Sequence, residues 1–114
     1  GTTYVNYVFT EVAGFSKFGS YTGTGSAGNK QTIGFEPAFI MFKSTNNTSE
    51  WVMIDNKRQT SNPRRHYLFA NRSNSESSAA PYGVNFLSDG FDFEGFYHND
   101  SGWDFIYMAF ANQF

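Results

Sequence analysis

The sequence predicts an all-β fold, an antiparallel β-sandwich (jelly-roll-like or related) built as a single domain, and three observations lead there. Aromatic residues make up 20% of the 114 positions, with fourteen Phe and seven Tyr, while Leu occurs only at Leu68 and Leu87. Such a composition suits pleated, half-buried surfaces on which side chains pack across strands. Short apolar runs alternate with clusters of Gly, Asn, Asp, Ser and Pro, and no stretch combines helical spacing with helix-favouring residues. The length is that of one hydrophobic core, and several short strands with turns at this spacing indicate a sandwich or barrel.

Taken in order, residues 4–9 (YVNYVF) are β-branched and aromatic and read as a strand, followed by a second at 15–21 (FSKFGSY). Residues 22–29, rich in Gly and Thr, read as a flexible connection, and Thr32 and Ile33 as a short strand or strand end. Residues 38–43 (AFIMFK) form a continuous apolar run. Its shortness, Gly34, Pro37 and the polar turn at 44–49 favour a strand over a buried helix segment. Residues 51–55 (WVMID) are its antiparallel hairpin partner.

Asn62 and Pro63 mark a turn before a strand at 66–71 (HYLFAN), and residues 73–81 are of low complexity and read as a surface loop. Residues 84–87 form a strand. Ser88, Asp89 and Gly90 give the strongest hairpin signal, since Asp-Gly supplies the positive backbone angles of a type I′ turn. Residues 91–97 (FDFEGFY) alternate, with Phe91, Phe93, Gly95 and Tyr97 on one side and Asp92, Glu94 and Phe96 on the other. A turn at 99–102 leads to a closing strand at 103–110.

One internal echo bears on organisation. Residues 4–11 (YVNYVFTE) align with residues 105–112 (FIYMAFAN), so both ends look like the same kind of strand. The simplest account is a piece of a tandem array, with residues 1–21 carrying the joining strand of the preceding repeat and the start of the domain, and residues 22–114 the β-sandwich repeat. The chain accordingly reads as a fragment or a processed product.

Charge and composition narrow the function. Eight basic and ten acidic residues give a net charge of -2, which argues against electrostatic capture of nucleic acid or anionic membrane. No apolar run approaches the roughly 20 residues of a membrane-spanning helix, and no secretory signal pattern is visible. Without cysteine, neither disulfides nor thiolate metal sites are available.

Motifs that suggest chemistry are weak. Gly23, Gly25 and Gly28 match a dinucleotide fingerprint, but the following residues cannot form the helix that must receive the pyrophosphate, so the segment reads as a loop. His66 and His98 are the only histidines, and no G-x-S-x-G accompanies them. Asp92 and Glu94, about 7 Å apart on one strand face, are the spacing that would permit glycoside hydrolysis, with a solvated face as the plainer reading. Asp89, Asp92, Asn99, Asp100 and Asp104 offer oxygen ligands for calcium without an EF-hand spacing. Lys57, Arg58, Arg64, Arg65 and Arg72 hold five of the eight basic residues and are expected to pair with Glu50, Asp55 or Glu76, or to be solvated. No catalytic residue, metal or cofactor is assigned.

The residues singled out for ligand binding are Phe96, Tyr97, Asn99, Asp100 and Trp103. Aromatic rings beside Asn and Asp at the 99–102 turn are what carbohydrate recognition uses, by stacking and planar hydrogen bonding. Lys43, Asp55, Arg58 and Asn71 are read as structural polar groups tying loops to the sandwich, because buried polar atoms need partners.

These residues also carry a resemblance. The stretch from Thr3 to Gly23, with Glu11-Val12-Ala13-Gly14-Phe15-Ser16-Lys17-Phe18-Gly19-Ser20-Tyr21 at its heart, is similar to a segment that joins β-repeats in bacteriophage tail-fibre and virion structural proteins. Downstream, Gly34-Phe35-Glu36-Pro37-Ala38-Phe39, Trp51, Asp55, Arg58, Phe86-Leu87-Ser88-Asp89-Gly90-Phe91, Ser101-Gly102 and Ile106-Tyr107-Met108-Ala109-Phe110 continue it. Where that joining strand often has Cys, this chain has Val8. The resemblance implies a virion component of a tail or surface appendage, extracellular, contacting other virion subunits and assembling as a homo-oligomer, a trimer in the first instance. The expected function is receptor binding: contact with host surface glycans without catalysis. A structural spacer or decoration domain is the alternative, and a polysaccharide depolymerase a more distant one.

Overall fold

The structure, a computed structural model, describes residues 10–71, 73, 77–78 and 83–112. Nine strands occur among them: β1 (Ser16–Thr22), β2 (Gly28–Thr32), β3 (Pro37–Ser44), β4 (Val52–Asp55), β5 (His66–Phe69), β6 (Ser77–Ser78), β7 (Val84–Leu87), β8 (Gly90–Phe93) and β9 (Asp104–Ala111). They make two antiparallel sheets, one in the order β1-β9-β3-β4-β5-β6 and one in the order β2-β8-β7, with four changes of sheet along the chain. The fold is an all-β antiparallel sandwich. The strand expected at residues 4–9, Arg72, Glu76, Phe114 and most of the loop expected at 73–81 lie outside the described residues. A boundary after residue 21 falls within β1, which pairs along its length with β9.

Between the sheets lies a core made largely of rings. Phe42, Tyr21, Phe105 and Tyr107 face it from the large sheet, and Phe91, Phe93 and Phe86 from the small one, all buried. Phe91 meets Tyr107 edge-on at 5.3 Å, and Tyr21 stacks on Phe105 at 5.1 Å. Edge and offset contacts of this kind suit the ring quadrupole, and each fully buried Phe contributes about 2–3 kcal/mol. The 38–43 run is apolar on both alternations because Ile40 and Phe42 face this core while Phe39 and Met41 face outward, half-buried.

The hairpins at 38–55 and 84–93 form where expected. The mechanism of the second differs. Leu87 pairs with Gly90, so Ser88 and Asp89 form the two-residue loop, and neither they nor Gly90 has positive φ. The type I′ expectation therefore fails, and Gly90 is needed for another reason: a Cβ there would stand 2.0 Å from the Gln31 carbonyl oxygen, so only glycine lets β2 and β8 approach. The alternation expected to 97 also stops early, because β8 ends at Phe93 and residues 94–98 turn away. Glu94, fastened there by Arg65 and by the Gly83 amide at 2.9 Å, thus lies beyond the strand that carries Asp92. Finally, the connection expected across 22–29 is shorter, since β2 begins at Gly28.

Candidate functional site

Two loops at one end of the sandwich build the site, residues 23–27 between β1 and β2 and residues 94–103 between β8 and β9. They are laced together by backbone bonds: Gly23 N donates to Trp103 O at 2.8 Å, Gly25 N to Asn99 O at 2.6 Å and Gly102 N to Gly23 O at 3.1 Å. The approach is so close at Gly23 that a Cβ would lie 2.1 Å from the Asp100 carbonyl oxygen. What resembled a phosphate-binding fingerprint is thus a glycine loop shaped to fit its neighbour.

Asn99 is the centre of this arrangement, with no exposed surface. Its Oδ1 accepts from Thr24 N at 3.0 Å and Asn29 Nδ2 at 2.7 Å, and its Nδ2 donates to Ser26 O at 2.7 Å and Gly95 O at 3.3 Å. Its amide is spent within the chain: Asn99, expected among the ligand residues, lies buried here and holds the two loops together. The preceding residue is strained. His98 has φ 60 and is 6% exposed, and its imidazole packs against Phe42 at 5.2 Å, Tyr67 at 5.7 Å and Tyr97 at 3.8 Å. Burial pushes its pKa down to about 3, so the ring is neutral, and its Nε2 has no hydrogen-bond partner among the described residues.

The laced loops bring Tyr97, Asp100 and Trp103 to the wall of a cleft of about 260 Å³. Glu50, Lys43, Thr48 and Ser49 come to it from β3 and the loop that follows, and Phe42, Phe105 and His98 form apolar lining. Trp103 is half-buried and backed by Phe105, ring centroids 6.3 Å apart. Burial, then the hydrogen bond and charge of neighbouring Tyr67 and the carboxylates of Asp100 and Glu50, push the Tyr97 hydroxyl up to about 12, so it stays protonated. Burial raises the Asp100 carboxyl as well. Lys43 Nζ donates to Ser44 O at 2.9 Å.

Of the expected ligand residues, then, Tyr97, Asp100 and Trp103 meet in one cleft, Asn99 lies beneath them, and Phe96 stands outside it at 45% exposure. Phe96 is the exposed member of the aromatic group; Tyr97 and Trp103 are half-buried and His98 buried. Glu50 and Lys43 were not foreseen there, because the cleft joins segments about 50 residues apart and no local pattern marks that meeting. Asp55 accepts from Lys57 N and Arg58 N, both at 2.8 Å, and from Arg58 Nε at 3.0 Å, and Asn71 clasps Trp51 N at 3.2 Å and Glu50 at 2.7 Å.

The other acidic residues are dispersed. Asp92 accepts from Asn85 at 2.8 Å, Asp89 pairs with Lys30 at 2.8 Å, and Asp104 accepts from Thr22 at 2.8 Å. The hydrogen bond from Arg65 holds the Glu94 carboxyl below its ordinary range. Among the described residues no three His, Cys, Asp or Glu gather as a metal would require.

A domain family defined as a domain of unknown function, DUF7483, matches residues 1–113. The chain belongs to that family. No curated protein and no solved structure matches it significantly. The match spans nearly the whole chain, cleft included.

Proposed function

We propose that this DUF7483 domain is a non-catalytic receptor-binding module of a phage virion appendage, holding a host surface glycan in the cleft between Tyr97, Trp103, Asp100 and Glu50. The observation that carries the reading is the cleft itself: two aromatic rings beside two carboxylates and Lys43, over an apolar floor. Rings of this kind stack on the C–H face of a pyranose, and carboxylates accept from vicinal hydroxyls. The resemblance to tail-fibre repeats supports the setting, a virion part exposed outside the cell among several subunits.

The test is binding of the domain to a panel of bacterial surface polysaccharides, with released fragments followed in the same samples. Saturable binding without fragments, weakened at least tenfold by Trp103→Phe and by Asp100→Asn, is the expected result. No binding by the folded domain would move the reading to a structural spacer or decoration role. A second reading, depolymerase activity, gains one specific observation: Asp100, with its raised pKa, shares the cleft with Glu50, which suits a general acid better than the dispersed Asp92 and Glu94. Fragment release abolished by Asp100→Asn would establish it.

A further inference from the structure

The charge of the cleft discriminates among glycans, on the reading that a glycan binds there. Among the described lining residues two are acidic, Glu50 and Asp100, and one is basic, Lys43, so the wall carries one excess negative charge. Glu50 Oε2 accepts from Asn71 Nδ2 at 2.7 Å, a neutral donor, and Lys43 Nζ donates to the Ser44 carbonyl at 2.9 Å. No cation pairs with Asp100 among the described residues. Burial raises its carboxyl, with no positive neighbour to bring it down again. Both carboxylates act on the Tyr97 hydroxyl, so they stand near the same ring.

Around them the lining is aromatic. Tyr97 and Trp103 are half-buried, so part of each ring stays uncovered, and Phe42, Phe69 and Phe105 complete the wall. The face of such a ring attracts an organic cation within about 6 Å of its centre, Trp most strongly. His98 lines the same cleft, and its burial keeps the imidazole uncharged down to about pH 3, so it adds no repulsion. The volume of about 260 Å³ falls below the ~300–1,000 Å³ of pockets that enclose drug-sized ligands, and suits one ring or one small head group.

A neutral sugar would leave Asp100 without a counter-ion, and an anionic one would add to the excess negative charge. A positively charged nitrogen meets both demands, the carboxylate by its charge and the rings by their quadrupole. We propose that the cleft takes the ammonium group of a cationic glycan, with Asp100 as its counter-ion and Tyr97 and Trp103 as its ring contacts. Two sources supply that group: the free amine of an amino sugar, and a quaternary ammonium head pendant from the polymer.

The experiment is calorimetric titration of the 114-residue chain with two pairs of ligands. The first pair is a glucosamine tetrasaccharide with free amines and its N-acetylated form. The second is choline and 3,3-dimethylbutan-1-ol, which has the shape of choline without the charge. Expected is a preference of about tenfold or more for the charged member of at least one pair, and the pair that shows it tells ring amine from pendant ammonium. Asp100→Asn should reduce that preference below about twofold, while Glu36→Gln, at an exposed carboxylate outside the cleft, should preserve it. Equal affinities within both pairs, or a preference that survives Asp100→Asn, would overturn the proposal. Saturable and equal binding of the two oligosaccharides, with no choline preference, would overturn it and leave the glycan reading standing. Choline held by a chain that binds no polysaccharide would overturn the glycan reading and leave the ammonium site. Should Asp100→Asn fail to fold, the ligand pairs decide without it.

Discussion

Asn99 and Asn29, seventy residues apart, are joined by a 2.7 Å hydrogen bond from Asn29 Nδ2 to Asn99 Oδ1 in the buried seam between the two loops. Asn29 reaches it from a left-handed backbone, φ 56, a conformation Asn tolerates better than most residues. Both side chains act as fastenings for the wall of the cleft. Asn99→Ala leaves the Thr24 amide and the Ser26 carbonyl without this partner, and is expected to destabilise the domain by about 2–4 kcal/mol. Chemical denaturation measures it, and a change below about 0.5 kcal/mol would sink the assignment.

Tyr21 holds the same loop from the core. Its hydroxyl donates to the His98 carbonyl at 2.7 Å, and both groups are buried. Tyr21→Phe preserves the ring contacts and removes only this bond, so a loss of about 1–2 kcal/mol is expected. Amide exchange at residues 98–103 should quicken in the variant. An unaltered exchange pattern would show that the loop stands without this tie.

His98 makes stability depend on pH. Its folded pKa, near 3, lies below the ordinary 6.5, so the unfolded chain takes up a proton that the folded one refuses. The stability is fully present above pH 6.5 and is lost as pH falls towards 3, at up to about 1.4 kcal/mol per unit. Around the ring stand Phe42, Tyr67 and Tyr97, none acidic in that window, while Asp100, raised by burial, acts in the opposite sense near its own titration. Comparing the wild type with His98→Phe isolates the histidine: the variant's stability should fall less steeply between pH 6 and 4. Parallel curves would refute this origin.

Glycines of two kinds should respond differently to alanine. At Gly34, φ 87, an added Cβ meets nothing within 4 Å among the described residues, so Gly34→Ala costs the left-handed backbone, about 1–2 kcal/mol. At Gly90 the backbone is ordinary but the Cβ collides with Gln31, so Gly90→Ala is expected to cost about 3 kcal/mol or more and to loosen β2 from β8. Thermal denaturation of the two variants compares them, and the reverse order would return Gly90 to the role of a turn residue.

Strands with distinct composition were legible from sequence: AFIMFK and WVMID announce a hairpin by β-branched and aromatic content and by the polar turn between them. Gly90 was found at the right place for the wrong reason, since Asp-Gly looks alike whether a turn or a neighbouring strand demands the glycine. The burial of Asn99 is not legible in the sequence, because an Asn in an Asn-Asp-Ser-Gly turn belongs at the surface by composition, and only the opposing loop buries it. The cleft drew on Tyr97, Asp100 and Trp103, neighbours in sequence and so visible together, whereas Glu50 and Lys43 arrive through the pairing of β3 with β9 and leave no local mark.

The pairing of β1 with β9 has a mechanical consequence. Ser16 lies opposite Phe110, and Ala111 N donates to Phe15 O at 2.7 Å, so the described chain leads into and out of the sandwich at the same edge. A pull applied through residues 10 and 112 would load these two strands in a peeling geometry, opening their hydrogen bonds one after another, beginning at that bond. Such a domain hangs beside the line of force like a pendant. It yields at low load at its root while the cleft, bounded by loops at the far end of β1 and β9, keeps its shape until the peel has run the length of the strands.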